Sequence, residues 1–131
     1  MADTKSKILI IEDDLDVAEM LNAYFRVQGY DVFTVNWGED GVRSCQTIHP
    51  DLVILDIRLP DIDGYEVARR IRSSAKTALA YTPIIAITAN ALKGDAEKAL
   101  ASGCDVYMSK PINLRELWAR VEAFVPAPLQ K

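Results

Sequence analysis

The sequence predicts an α/β fold, a doubly wound parallel sheet with helices on both faces, and three observations lead there. Strand-like and helix-like segments alternate five times along the chain, and such alternation requires crossover connections between parallel strands. Two of the strand segments, "DLVIL" (51–55) and "PIIAIT" (83–88), are apolar on both sides, as strands buried between two helical layers must be. The length of 131 residues, half of them apolar, fits one domain able to bury its own core.

"KILII" (7–11) is a β-rich run. In the segment after it, Val17, Ala18, Leu21, Tyr24 and Phe25 recur at helical spacing, with Asp14 at the N-cap position and Gly29 as the stop. "YDVFTV" (30–35) is the second strand, and Val42, Cys45 and Ile48 mark one face of the helix that ends before His49-Pro50. The third strand, "DLVIL", leads through a turn to a helix that begins at Asp63 with Glu66 three places on and buries Val67, Ala68 and Ile71. After "PIIAIT", the segment "NALKGDAEKALASG" is weakly amphipathic and carries Gly94, which costs about 1 kcal/mol in a helix interior. It is expected to be the softest helix. "DVYMS" (105–109) is the last strand, and Asn113 with Glu116 caps a final helix whose inner stripe is Leu114, Leu117, Trp118, Val121 and Val125.

Composition excludes several classes of function. A net charge of −4 argues against a duplex-DNA binder, which needs a basic stripe. Apolar runs of about five residues fall far short of the roughly 18 that span a bilayer, and "MADTKSK" lacks the apolar core of a secretion signal. A soluble, cytoplasmic protein with no membrane partner is expected. Cys45 and Cys104 are isolated and read as reduced thiols.

Chemistry gathers where the strands end. Glu12, Asp13 and Asp14 follow the first strand, Asp56 the third, Thr88 ends the fourth, and Lys110-Pro111 follows the fifth. In an open parallel sheet ligands sit at the carboxyl ends of the strands, near the switch in winding direction. If the first strand lies beside the third, with the fourth and fifth outward from it, these groups converge. Clustered carboxylates raise one another's pKa values unless a cation intervenes. Mg²⁺ suits the need, because it takes oxygen ligands at about 2.0–2.1 Å and keeps waters that a phosphate oxygen can replace. With Lys110 as a second positive charge and Thr88 as a hydroxyl donor, the set resembles a receptor for a phosphoryl group, and the carboxylate itself can be the nucleophile.

An acidic cluster after the first strand, "LD" ending the third, "TA" ending the fourth and "KP" after the fifth together resemble the receiver domain of two-component response regulators. The resemblance covers residues 7 to 125. It implies the flavodoxin-like receiver fold, five parallel strands in the order 2-1-3-4-5 with five helices, over residues 1–125, and leaves 126–131 as a flexible tail or the start of a linker. It implies that Asp56 is the phosphoacceptor, charged from a phosphohistidine on a sensor histidine kinase or a histidine phosphotransfer protein. Glu12, Asp13 and Asp56, with the backbone carbonyl of Arg58, would hold Mg²⁺, for which Mn²⁺ can substitute. Thr88, the backbone amide of Ala89 and Lys110 would bind phosphoryl oxygens, and Lys110–Pro111 would be cis. Thr88 and Tyr107 would form the switch that reshapes the surface of the fourth helix, fifth strand and fifth helix for a downstream protein. The wording "TANALKGDAEKALASGCDVYMSKPI" is most similar to receivers of hybrid kinases and phosphorelays, and Arg58 and Asn90 occupy positions that the family varies and that tune phosphoryl lifetime.

Plainer readings stand beside these. Asp14 is read as a helix cap rather than a metal ligand, Trp37 and Trp118 as packing or surface residues, His49 as structural, and Asp61 as turn chemistry after Pro60. "DIDG" (61–64) fails as a calcium loop: with Gly64 sixth, Leu59 and Arg70 fall where acids are required. A flavin carrier would need phosphate-cradling amides where Glu12, Asp13 and Asp14 repel anions. An acylphosphate phosphatase would need an acid at Arg58. A receiver that binds partners without phosphorylation would have lost functional positions, and none is replaced. The reading is a signalling switch, not an enzyme, that takes part in its own phosphorylation and dephosphorylation.

Overall fold

The computed structural model describes residues 5–73, 81–89 and 94–127. Along the chain run β1 (Lys7–Ile11), α1 (Leu15–Val27), β2 (Asp31–Val35), α2 (Gly38–Ile48), β3 (Leu52–Asp56), α3 (Gly64–Ser73), β4 (Ile84–Thr88), α4 (Asp95–Ala101), β5 (Val106–Ser109) and α5 (Leu114–Phe124). All strand pairs are parallel, in the order β2-β1-β3-β4-β5. Winding reverses between β1 and β3, where this class of sheet opens its binding crevice.

Alternation of side chains on the strands divides the core into two layers. Ile8, Ile10, Ile54, Ile85 and Ile87 meet Leu21 and Phe25 of α1 and Leu117 and Val121 of α5. Leu9, Ile11, Val53, Leu55 and Ala86 meet Cys45 of α2, Val67, Ala68 and Ile71 of α3 and Ala99 of α4. Every residue of β3 and β4 is buried, as the double-sided apolar pattern demands. The two cysteines are free and buried, and burial pushes the Cys45 thiol up to about 12 and that of Cys104 up to about 11, so neither is a nucleophile at neutral pH. Among the described residues, no helix is long and apolar enough to cross a membrane.

The caps read from the sequence are formed. Asp14 accepts from the Asp16 and Val17 N–H groups, Asp63 from Glu66 and Asn113 from Glu116. Gly29 ends α1 at φ 104°, a conformation in which a Cβ is strained. His49 adopts the left-handed conformation at φ 55° after α2, the structural role a lone histidine was expected to have. Two expectations change. Gly94 stands at the N-cap of α4 with φ 96°, not in the helix interior, so its backbone freedom is used rather than wasted. Asp61 is more than a turn residue. Trp37 occupies the N-cap position of α2 and offers no capping oxygen. Asp61 supplies it from the β3–α3 loop, accepting from Gly38 N–H through Oδ1 and from Glu39 N–H through Oδ2, both at 2.8 Å. Although partial burial works the other way, those N–H donors hold its carboxyl below the usual range. A lowered native pKa contributes stability that is present above the ordinary carboxylate value and lost as pH falls through the native one. Asp61→Ala is therefore expected to lower stability in urea by about 1 kcal/mol at pH 7 and by less at pH 3. Equal losses at both pH values would show that the ionised cap is not the cause.

Asn90 and the last four residues of the expected tail, 128–131, lie outside the described residues.

Candidate functional site

Sheet register brings the acids together. Ile10 pairs with Ile54, so two positions further on Glu12 lies opposite Asp56, with both side chains on the same face. Both are nearly inaccessible, at 2% and 4% exposure. Lys110, immediately after β5, reaches across to them: its Nζ lies 3.2 Å from Glu12 Oε1 and 3.6 Å from Asp56 Oδ2. Its backbone N–H donates to Thr88 O at 2.7 Å, which ties the end of β5 to the end of β4, and the Lys110–Pro111 bond is cis.

Each carboxylate is also held by the backbone. Asp14 N–H donates to Glu12 Oε2 at 3.0 Å, and Arg58 N–H donates to Asp56 Oδ1 at 3.2 Å. Burial pushes the Asp56 carboxyl well above the usual range, and the facing Glu12 adds to the rise, while Lys110 and the Arg58 N–H work against it. For Lys110, burial disfavours the ammonium, but Asp56 and Glu12 outweigh it and raise the pKa. The cluster is thus two buried acids and one base, short of one positive charge.

A divalent cation fits that deficit. Glu12, Asp13 and Asp56 each offer a carboxylate oxygen, all within 4.8 Å of one another, with Asp13 exposed at the mouth. All-oxygen donors of this kind suit Mg²⁺. Asp14 is outside the group and serves as the α1 cap, as its position indicated.

Thr88 is buried at the end of β4, with Ala89 exposed just after it. Asp56 pairs with Ile87, so Thr88 stands one step beyond the acid on the neighbouring strand. Tyr107 is half-buried, pairs with Ala86, and packs against the core layer of α2, α3 and α4. Thr88 lies two residues on from Ala86, on that same face, so hydroxyl and ring are diagonal neighbours across β4 and β5.

Two contributors escaped the sequence reading. Gly64 donates its N–H to Ile57 O at 2.7 Å, and a Cβ there would come within 2.6 Å of Ile57 Cα and 2.8 Å of Asp56 O. Only glycine lets α3 start against the backbone that carries Asp56. Asn36 donates from Nδ2 to Glu12 O at 3.0 Å. The signal for Gly64 was its place in "DIDG", directly after the loop; for Asn36 the sequence offers none beyond a polar residue after β2.

An acid pair at a winding switch, with a lysine before a cis proline and a buried threonine, defines a class of signalling domain. The response regulator receiver domain profile matches residues 8–122, and the chain belongs to that family. It is 36% identical over 119 residues to the alkaline phosphatase synthesis transcriptional regulatory protein PhoP of Bacillus subtilis, covering 91% of this chain and 48% of PhoP. The chain spans about half the length of the curated relatives it matches. Among solved structures, the receiver domain of the sensor histidine kinase PA1611 of Pseudomonas aeruginosa, with magnesium coordinated in its active site cleft, superposes at a TM-score of 0.84 and 35% identity over 95% of this chain and all of that one. The BeF3-activated receiver domain of Klebsiella pneumoniae RstA superposes at 0.82 and 28% identity, covering 91% and 97% of the two chains.

Proposed function

We propose that this receiver domain takes a phosphoryl group onto Asp56 from a phosphohistidine and passes the change to a partner through α4, β5 and α5. The observation that carries the reading is Asp56 itself, a carboxylate at 4% exposure, held opposite Glu12 and within ion-pair reach of Lys110. So costly an arrangement is retained where the acid has chemistry to do.

In the step, an Asp56 Oδ attacks phosphorus in line with the donor's P–N bond. An acyl phosphate bond forms, the P–N bond breaks, and its electron pair returns to the donor imidazole. The chain's own residues orient and neutralise: Lys110 pairs with one phosphoryl oxygen, the Thr88 hydroxyl and the Ala89 amide donate to others, and the Arg58 N–H fixes the carboxylate. Mg²⁺, or Mn²⁺ in its place, held by Glu12, Asp13, Asp56 and the Arg58 carbonyl, would supply the charge that keeps Asp56 ionised beside Glu12. Lysis of the acyl phosphate by water returns the domain to its resting state.

Thr88 moving toward the phosphoryl group vacates space on the face it shares with Tyr107, and the ring turns inward. A cleft of about 270 Å³ lined by Tyr107, Met108, Ser109, Pro111, Asn113 and Glu116 lies beside that ring, so its shape follows the switch. The partners are a sensor histidine kinase or histidine phosphotransfer protein upstream and a downstream protein on this face. The domain itself contacts neither nucleic acid nor membrane, and the setting is cytoplasmic.

Incubation with Mg²⁺ and a small phosphodonor is expected to add one phosphoryl group, located on Asp56 by reductive trapping and peptide mass mapping. No label under any donor, or a label that persists when Mg²⁺ is chelated, would count against the reading.

A further inference from the structure

We propose that Asn36 is a positioning residue for the metal-holding acids, fixing the backbone of Glu12 so that the Glu12 and Asp13 carboxylates converge on Asp56. The proposal rests on the magnesium reading given above. The last pair of the β1–β2 ladder is Ile11 with Val35, and Glu12 N–H still donates to Val35 O at 3.0 Å. In a parallel ladder the next bond would bring the N–H of residue 37 to Glu12 O. By then the chain is leaving the sheet, since Trp37 is the N-cap residue of α2. The Asn36 side chain takes that place, its Nδ2 donating to Glu12 O at 3.0 Å.

The ladder is thereby prolonged by one residue, the one whose side chain faces Asp56. Glu12 is fixed at its backbone N–H, its carbonyl and both carboxylate oxygens. Asp13, exposed at the mouth, takes its direction from its neighbours: Glu12, pinned by Asn36, and Asp14, pinned as the cap of α1. Outer contacts that orient metal-binding groups typically change metal affinity about 10- to 100-fold when removed. Asn36 is half-buried at the protein rim, so its loss should be felt in the loop more than in the fold.

The test uses Asn36→Leu, near in size but without an N–H, and Asn36→Ala. Mg²⁺ is titrated against backbone amide shifts by NMR, beside urea unfolding of the metal-free proteins and initial phosphorylation rates at saturating Mg²⁺. Both variants are expected to need about 10-fold more Mg²⁺ for half-saturation, with nearly parental unfolding midpoints and nearly parental rates once saturated. If the parent saturates and the variants do so at the same Mg²⁺ concentration, Asn36 has no positioning role. A fall in metal-free stability with unchanged Mg²⁺ affinity overturns the proposal too, because it marks an ordinary strand-end cap. If the parent itself shows no saturable response, it is the magnesium reading that fails.

Discussion

Asp56→Asn is expected to take up no phosphoryl group from any donor and, in magnesium-free buffer at pH 8, to be more stable than the parent chain. The first half follows from chemistry: an amide oxygen is no nucleophile toward phosphorus at neutral pH, and no second acid stands in Asp56's place in β3. The second follows from the balance of charge. The side-chain amide of the variant would keep an oxygen for the Arg58 N–H and turn an N–H toward Glu12, replacing repulsion by a hydrogen bond, while Lys110 keeps its 3.2 Å contact with Glu12. Because folding raises the Asp56 pKa from its ordinary 3.8, the native state binds more protons than the unfolded chain above that value. Stability is then full below the ordinary value and is lost as pH rises through the native one. Each unit of rise is worth about 1.4 kcal/mol. The variant should therefore gain about 1–3 kcal/mol at pH 8 and little at pH 4, with a flatter pH profile in urea unfolding. Mg²⁺ should stabilise the parent most where Asp56 is ionised, at high pH, and the variant less throughout. A variant no more stable than the parent at pH 8 would mean that Asp56 carries no electrostatic cost there.

The strands were legible to within a residue because burial between two layers makes β3 and β4 continuously apolar, and parallel pairing then fixes which residues end together. Glu12, Asp13, Asp56 and Lys110 could be grouped for the same reason: each stands at or just beyond the end of a strand, and a doubly wound sheet brings those ends to one rim. What stayed hidden depends on loops meeting loops. Asp61 caps a helix that begins 23 residues earlier, and the clue lay at Trp37, which leaves the first N–H groups of α2 in need of an acceptor. Asn36 stands in for a backbone donor, a substitution visible only once the divergence of β2 from β1 is known. Gly94 read as a helix defect because the start of α4 is set by a left-handed backbone turn at its N-cap, φ 96°, which the local apolar pattern does not show.

Lys110→Met should damage the resting domain severely, with a cost that depends on pH. Methionine keeps the length and apolar stem of lysine and removes only the ammonium. In the parent that ammonium, on a side chain 21% exposed, stands between two carboxylates that are almost fully buried. Taking one member from a buried charged set leaves the others uncompensated, which typically costs about 3–5 kcal/mol, a large share of the roughly 5–15 kcal/mol that holds a domain together. The carboxylates can escape by binding a proton, so the native Asp56 pKa rises further than in the parent. The parent already loses stability up to its own native Asp56 value of about 8, so the variant should track it below that value and fall further behind as pH rises above it. Urea unfolding at pH 6 and pH 9.5 without metal should show most of the loss at pH 9.5, and Mg²⁺ should restore part of it by binding the folded state alone. On the proposed role of Lys110 at a phosphoryl oxygen, phosphorylation at saturating Mg²⁺ should slow about a hundredfold, because a charge aimed at the transferring group would be missing in the transition state. A loss of equal size at both pH values would show that residue 110 contributes packing and not charge, and the view of the rim as two acids balanced on one base would have to be given up.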